Sequence, residues 1–103
     1  MILVMEVEFD DDELNQLEVN PQATAGFPAG VVKGFRKAMQ FIRSASDERD
    51  LYAMRGLRFE KLKGDRDGQC SLRCNDQYRL VVKIEGRADS KKVKVIEIVD
   101  YHK

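Results

Sequence analysis

The stretch DGQCSLRCNDQYRLVV, residues 67–82, decides the fold of this chain of 103 residues. Each half of it alternates like a half-buried strand, and the Asn-Asp-Gln between the halves is typical of a tight turn. The stretch therefore predicts a β-hairpin. Its second half, continued to residue 85, has two faces. We expect the apolar one to meet the helices (Tyr78, Leu80, Val82, Ile84) and the other to stay open (Arg79, Val81, Lys83, Glu85).

Further strands are predicted on both sides of the hairpin. LRFEKL (57–62) alternates before it, and KVKVIEIVDYH (92–102) follows a second turn, GRADSK. In LRFEKL, Arg58, Glu60 and Leu62 are expected to share one side. Apolar residues occur at both parities of the last strand, which indicates burial on both faces or a β-bulge.

The first half of the chain is mostly helical in pattern. A buried strand (2–9) precedes a short helix that Asn20-Pro21 ends, and residues 31–46 have the strongest helical spacing. Gly34 inside this helix costs about 1 kcal/mol relative to Ala. A short turn of helix follows, capped by Ser46 or Asp47 and ended by Gly56. The order predicts an α+β fold, with two to three N-terminal helices packed on one face of a small, mainly antiparallel sheet.

Length and composition indicate one soluble domain, residues 1–103. The apolar fraction is 43% and the charged fraction 35%. No apolar run approaches the roughly 18 residues of a membrane span. The N-terminal apolar segment lacks the basic residues of a signal peptide, so a cytoplasmic location is expected.

The cysteines and the charge distribution limit the possible chemistry. Cys70 and Cys74, if on one strand, lie too far apart for a disulfide, and one His leaves no zinc spacing, so two reduced thiols and no metal are expected. Residues 1–54 carry five Lys or Arg against ten Asp or Glu, while residues 55–103 carry thirteen against eight. This asymmetry hints at a polyanionic partner for the basic half.

Four short motifs follow one another in the second half of the chain: L-K-G-D-R, G-x-x-S-x-R, N-D-Q-x-R and a terminal D-Y-H. Together they resemble the HigB-type toxins of the RelE/ParE superfamily, from type II toxin–antitoxin systems. The resemblance covers residues 57–102, and the first half matches in its order of elements. It implies a RelE/ParE-like fold and a ribosome-dependent endoribonuclease that cuts mRNA in the A site. It also implies a helix-turn-helix (HigA-like) antitoxin as partner.

The resemblance also assigns catalytic residues. The 2′-hydroxyl of the RNA attacks its own 3′-phosphate, so a base, cations and an acid are needed, but no metal or other cofactor. HigB-type toxins often place His where this chain has Glu60, whereas YoeB-type relatives place a Glu and use it as the base. Glu60 is thus the candidate base, and Arg79 holds the scissile phosphate. Tyr101 and His102 position the nucleotide and protonate the leaving oxygen.

Four more residues are implied to bind RNA. Lys63 and Arg73 match cations that contact the backbone or the transition state, and Asp100 matches the acid of the D-Y-H motif. Neighbouring turns should bring Arg66 to the same face. A rigid sheet holds such a phosphate clamp better than a loop does, and planar guanidinium groups suit bidentate phosphate contacts.

Other interpretations of these residues stay open. Glu60 could be a surface partner of Arg58 or Lys63. Arg79 could pair with Glu85 or Asp76, and His102 could be a frayed terminal residue. The function also has alternatives: a ParE-like toxin that inhibits gyrase, or a catalytically inactive member that binds an antitoxin.

Overall fold

The computed structural model describes residues 4–87 and 90–101, and its elements follow the predicted order. Within these residues a strand is followed by three helices and then by four strands. In chain order the elements are β1 (Glu6–Phe9), α1 (Asp12–Val19), α2 (Ala29–Ser44), α3 (Glu48–Ala53), β2 (Glu60–Lys61), β3 (Cys70–Arg73), β4 (Tyr78–Arg87) and β5 (Ser90–Asp100). The α+β fold class is confirmed.

Local side chains set the ends of the short helices. The carboxylate of Asp11 accepts a hydrogen bond from the backbone of α1 and caps it, and Asn20 ends this helix as predicted. Asp47, one of the two candidate caps, does the same for α3. The prediction that Gly56 ends α3 is wrong, because the helix stops at Ala53 and Gly56 lies in a following 3-10 turn.

The five strands form one sheet in the order β1-β5-β4-β3-β2. β1 runs parallel to β5, and the other neighbours are antiparallel. The pairing of β4 with β5 shifts where Val81 faces Glu97 and Val82 faces Val95, so Ile96 is an additional residue in β5. This bulge confirms one of the two explanations for the apolar residues at both parities.

The core lies between α2 and one face of the sheet. Phe35, Met39 and Ile42 of α2 are fully buried there. Leu80 and Val82 of β4 belong to the same core, and Tyr78 and Ile84 pack against it, so the face predicted to meet the helices is confirmed. Both cysteines are free thiols in this buried cluster, as expected.

Gly34 lets α2 approach the hairpin closely. A Cβ atom at this position would lie 1.7 Å from the carbonyl oxygen of Cys74, inside any permitted contact distance. The residue that appeared from sequence to be a mild cost to the helix is therefore a packing requirement. It fixes α2 against the chain segment that immediately follows Arg73.

The strand predicted over residues 57–62 is much shorter in the structure. Only Glu60 and Lys61 pair with β3. Arg58 closes a 3-10 turn with φ 48° and ψ 46°, a left-handed conformation that cannot continue a strand. Arg58 and Leu62 therefore do not share a strand face with Glu60 as predicted.

Candidate active site on the open face of the sheet

The sheet face opposite the helices, here called the open face, carries two cross-strand rows. Cys70, Leu72 and Cys74 belong to the core, so the alternate residues Ser71 and Arg73 point to the open face. The first row runs across four strands, and the second crosses three. The rows are Glu60–Ser71–Val81–Glu97 and Arg73–Arg79–Val99.

This face is less open than the alternation predicts. Val81 is 1% exposed and Ser71 is also 1% exposed, so both lie beneath longer side chains. Arg66 lies close to this region. From the loop before β3 its guanidinium reaches Gln69 at 3.0 Å and Glu97 of β5 at 2.5 Å. Val81 thus lies on the predicted face, opposite the helices, but it is buried there rather than open to solvent. Long side chains such as arginine can bury apolar surface below them.

Arg79 is more deeply buried than Arg66 and Arg73. Its side chain is 13% exposed, and its Nη1 lies 3.9 Å from Oε1 of Glu60. The same nitrogen donates a long hydrogen bond, 3.4 Å, to the carbonyl oxygen of Arg58. Its guanidinium carbon lies 4.8 Å from the centre of the Tyr101 ring, a cation–π distance. Two segments distant in sequence, residues 58–60 and Tyr101, thus contact one guanidinium group.

Glu60 and Arg79 meet across an intervening strand. β3 lies between β2 and β4, so their contact passes over β3 at the level of Ser71 and Arg73. The Glu60 side chain is half exposed, and a 3.9 Å separation is loose for an ion pair. A phosphate group can replace such a partner at little cost.

The C-terminal end of β5 is fastened to the hairpin turn. The backbone N–H of Tyr101 donates to the carbonyl oxygen of Gln77. The side-chain amide of Gln77 donates to Asp100 at 3.1 Å. These bonds set Tyr101, half exposed, beside Arg79. His102 lies outside the described residues.

The remaining RNA-binding candidates differ in their surroundings. Arg73 donates to Asp76 at 2.6 Å, and this hydrogen bond lowers the pKa of the Asp76 carboxyl. Arg66 is held by Glu97, as described above. Lys63 is exposed in the loop after β2. The structure thus brings Glu60, Arg73, Arg79 and Tyr101 to one face, with Arg66 at its edge.

Sequence reasoning missed three contributors to this site. The Arg58 carbonyl acts through a backbone contact that has no sequence pattern of its own. Gln77 belongs to the N-D-Q-x-R motif, but its amide contact to Asp100 arises only in the folded chain. Ser71 is part of the G-x-x-S-x-R motif, which was a usable signal, but no role was assigned to it.

Other features of the described chain lie apart from this cluster. A cavity of about 500 Å³ is lined by Tyr52, Phe59, Lys61, Cys70 and Ile84, among others, and includes none of the candidate site residues.

Over residues 4–87 and 90–101, no three His, Cys, Asp or Glu side chains are grouped so that they could hold a metal ion. Within the same ranges no helix is long and apolar enough to cross a bilayer.

The open face combines three groups that suit phosphate chemistry: a carboxylate, a largely buried guanidinium and a phenol. The carboxylate can accept a proton, and guanidinium groups can stabilise negative charge that develops on phosphate oxygens. The phenol lies against Arg79, where a nucleotide held by that arginine would also meet it.

Comparisons with known proteins agree with the resemblance seen in the motifs. The profile of the family described as RelE-like toxin of type II toxin–antitoxin system HigB matches residues 7–102. Toxin HigB-1 of Vibrio cholerae serotype O1 is 34% identical over 77 residues, which are 75% of this chain and 81% of that protein.

Solved structures show the same fold at low sequence identity. A YoeB/ParE toxin from Agrobacterium tumefaciens superposes with a TM-score of 0.60 at 18% identity, covering 95% of this chain and all of that one. A YoeB–YefM complex from Staphylococcus aureus gives 0.58 at 19% identity, covering 96% and 98%. With the family profile spanning nearly the whole sequence, the chain belongs to the HigB-like toxins, which are RelE-like toxins of type II toxin–antitoxin systems.

Proposed function

We propose that this toxin is a ribosome-dependent endoribonuclease that cleaves mRNA in the ribosomal A site without a metal ion. The observation that carries the proposal is the convergence of Glu60, Arg79 and Tyr101, from three separate elements, on one face of the sheet. Family membership supports the reaction class, and the site supplies the groups that this reaction needs.

The reaction assigns a step to each group. Glu60 accepts the proton of the 2′-hydroxyl as its oxygen attacks the adjacent 3′-phosphate. The new O2′–P bond forms while the P–O5′ bond breaks, which leaves a 2′,3′-cyclic phosphate on one fragment. Tyr101 or His102 donates a proton to the departing 5′-oxygen. Arg79 stabilises the charge on the equatorial oxygens during the exchange.

The cations around this centre hold the RNA backbone. Arg73 stands beside Arg79 on the neighbouring strand, and Lys63 is exposed in the adjoining loop. Arg66 can contribute if phosphate competes with Glu97 for its guanidinium. Asp100 helps to fix the chain end that carries Tyr101 through its bond to Gln77.

An antitoxin is part of the same proposal. The family is defined by toxin–antitoxin systems, and one structural neighbour is a toxin in complex with YefM. We propose a helix-turn-helix antitoxin encoded beside the toxin gene, and the cytoplasm as the place of action. The whole chain, residues 1–103, acts as one toxin domain.

A reconstituted translation reaction tests the function. Purified toxin, ribosomes and a defined mRNA are combined, and cleavage sites are mapped by primer extension against the same mRNA without ribosomes. We expect cuts within the coding region that depend on ribosomes and end in a cyclic phosphate. Equal cutting of naked RNA, or no cutting with ribosomes, would contradict the proposal. Inhibition of DNA gyrase supercoiling in the second case would support a ParE-like toxin instead.

A further inference from the structure

Ser71 carries an unusual hydroxyl. Its side-chain oxygen is fully buried and, within residues 4–87 and 90–101, is the one buried side-chain oxygen or nitrogen without a hydrogen-bond partner. Burying a hydroxyl without a partner costs free energy, and native structures rarely retain such a group without reason. The free protein therefore keeps a polar atom that does not contribute to its own stability.

The position of this hydroxyl points to the candidate active site. Ser71 lies on the open face, directly opposite Glu60 of β2 on one side and Val81 of β4 on the other. Directly opposed residues of an antiparallel pair have Cβ atoms about 5 Å apart. The Glu60 carboxylate is thus within the range of a hydroxyl that can rotate about its own bonds.

In the free protein Glu60 makes no hydrogen bond to Ser71 and lies close to a cation instead. Its carboxylate crosses β3 to lie 3.9 Å from Arg79. A phosphate that occupies Arg79 would take over this cation and repel the carboxylate. Glu60 would then need another donor to hold it in place while it accepts a proton.

We propose that Ser71 is a positioning residue, whose hydroxyl donates a hydrogen bond to the Glu60 carboxylate once an RNA phosphate engages Arg79. This inference rests on the proposed function and deepens it. The small side chain of Ser71 also leaves room for the Glu60–Arg79 contact above β3. The unsatisfied hydroxyl of the free protein is then a partner reserved for the RNA-bound state.

The test removes the hydroxyl and compares stability with rate. For Ser71→Ala we expect an unchanged or higher Tm than the parent, because a buried unsatisfied group is lost. The single-turnover rate of mRNA cleavage on ribosomes should fall about tenfold, the rate equivalent of one hydrogen bond, with toxin affinity for the ribosome unchanged. Ser90→Ala, on the exposed start of β5, is the matched control and should change neither quantity.

A double-mutant cycle separates positioning of Glu60 from simple packing. If Ser71 acts through Glu60, then Ser71→Ala should have no additional effect in a Glu60→Gln background. Ser71→Cys is a second variant of similar size with a weak donor, and it should lose rate in the same way. It provides the rate comparison if Ser71→Ala does not fold.

The measured rates and Tm values distinguish failure of the proposed function from failure of the Ser71 proposal. A parent toxin that does not cleave mRNA on ribosomes overturns the proposed function and this inference together. An active parent with Ser71→Ala or Ser71→Cys at the parent rate overturns this inference alone. A tenfold loss that persists in the Glu60→Gln background, or a Tm below that of Ser90→Ala, assigns Ser71 to the packing of the free protein and also overturns it.

Discussion

Arg73 of β3 and Arg79 of β4 are direct cross-strand partners on the open face. Like charges in this arrangement repel each other and destabilise a sheet. Each has a carboxylate at its side, Asp76 for Arg73 and Glu60 for Arg79. The two arginines are therefore better explained as a binding site for an anion such as phosphate than as a contribution to stability.

Replacing Arg79 should abolish most activity and leave the fold intact. We expect Arg79→Ala to lower the single-turnover cleavage rate on ribosomes by about 10²-fold or more, because one transition-state charge contact is lost. Arg87→Ala, at the exposed far end of β4, is the control and should cleave at the parent rate. Circular dichroism checks the fold. A parental rate for Arg79→Ala would remove this residue from the site, and a melted protein would make it a structural residue.

Glu60→Gln tests the general base, since it keeps the shape of the side chain and removes its basicity. Loss of a general base typically costs about 10²–10⁴-fold, and we expect a loss in this range in the single-turnover rate. Glu6→Gln, on the exposed side of β1, is the control.

The other end of the site needs separate variants. If Glu60→Gln cleaves at the parent rate across pH, while Tyr101→Phe or deletion of residues 102–103 abolishes cleavage, the base lies at the C-terminus. Glu60 would then be only the surface partner of Arg79 that its 3.9 Å contact shows.

Because α2 approaches the hairpin closely, alanine substitutions at two glycines of this helix should change stability very differently. A Cβ at Gly34 would collide with the backbone of Cys74, whereas one at Gly30 would meet nothing within 4 Å. We expect Gly34→Ala to lower the free energy of unfolding by about 1–3 kcal/mol or more, as overpacking against rigid backbone does. Gly30→Ala should be neutral or stabilising by up to about 1 kcal/mol. Urea titration measures both, and equal values would contradict the close contact.

The buried thiol of Cys74 predicts how stability depends on alkaline pH. Burial raises its pKa from 9.0 to about 12, against the opposing effect of Arg79 and Arg73. Below pH 9 the thiol is protonated in the folded and the unfolded chain and contributes no pH dependence. Between pH 9 and 12 the unfolded chain loses this proton first, so the free energy of unfolding falls by up to about 1.4 kcal/mol per pH unit.

Cys74→Ala removes this contribution and should flatten the decline above pH 9. Urea titrations of parent and variant at pH 8, 9.5 and 10.5 measure the difference. The thiol should also resist iodoacetamide at pH 8 until urea unfolds the chain, because the thiolate is the reactive form. Identical slopes, or rapid alkylation of Cys74 in the folded protein, would contradict the burial.

Local patterns were enough to derive most of the architecture. The alternation around residues 67–82 predicted the hairpin and which of its faces meets α2. The mixed parity of the last strand indicated burial on both faces or a bulge, and a bulge is present at Ile96. Asp47 and Asn20 marked helix ends because caps and breakers act over one turn of chain. Glu60, Arg79 and Tyr101 were named from motif positions, and the structure places them together.

Only the tertiary structure shows which side chains of distant segments contact each other. Arg66 binds Glu97 although they are 31 residues apart, and no period in the sequence records that contact. Gly34 is required only because α2 is pressed against Cys74. The sequence by itself determined the order of the elements, the two faces of the hairpin and the residue types of the site, but not the extent of β2. Burial, strand register and contact across β3 arise only when those elements pack, and they alone left the Ser71 hydroxyl buried without a partner in the free protein.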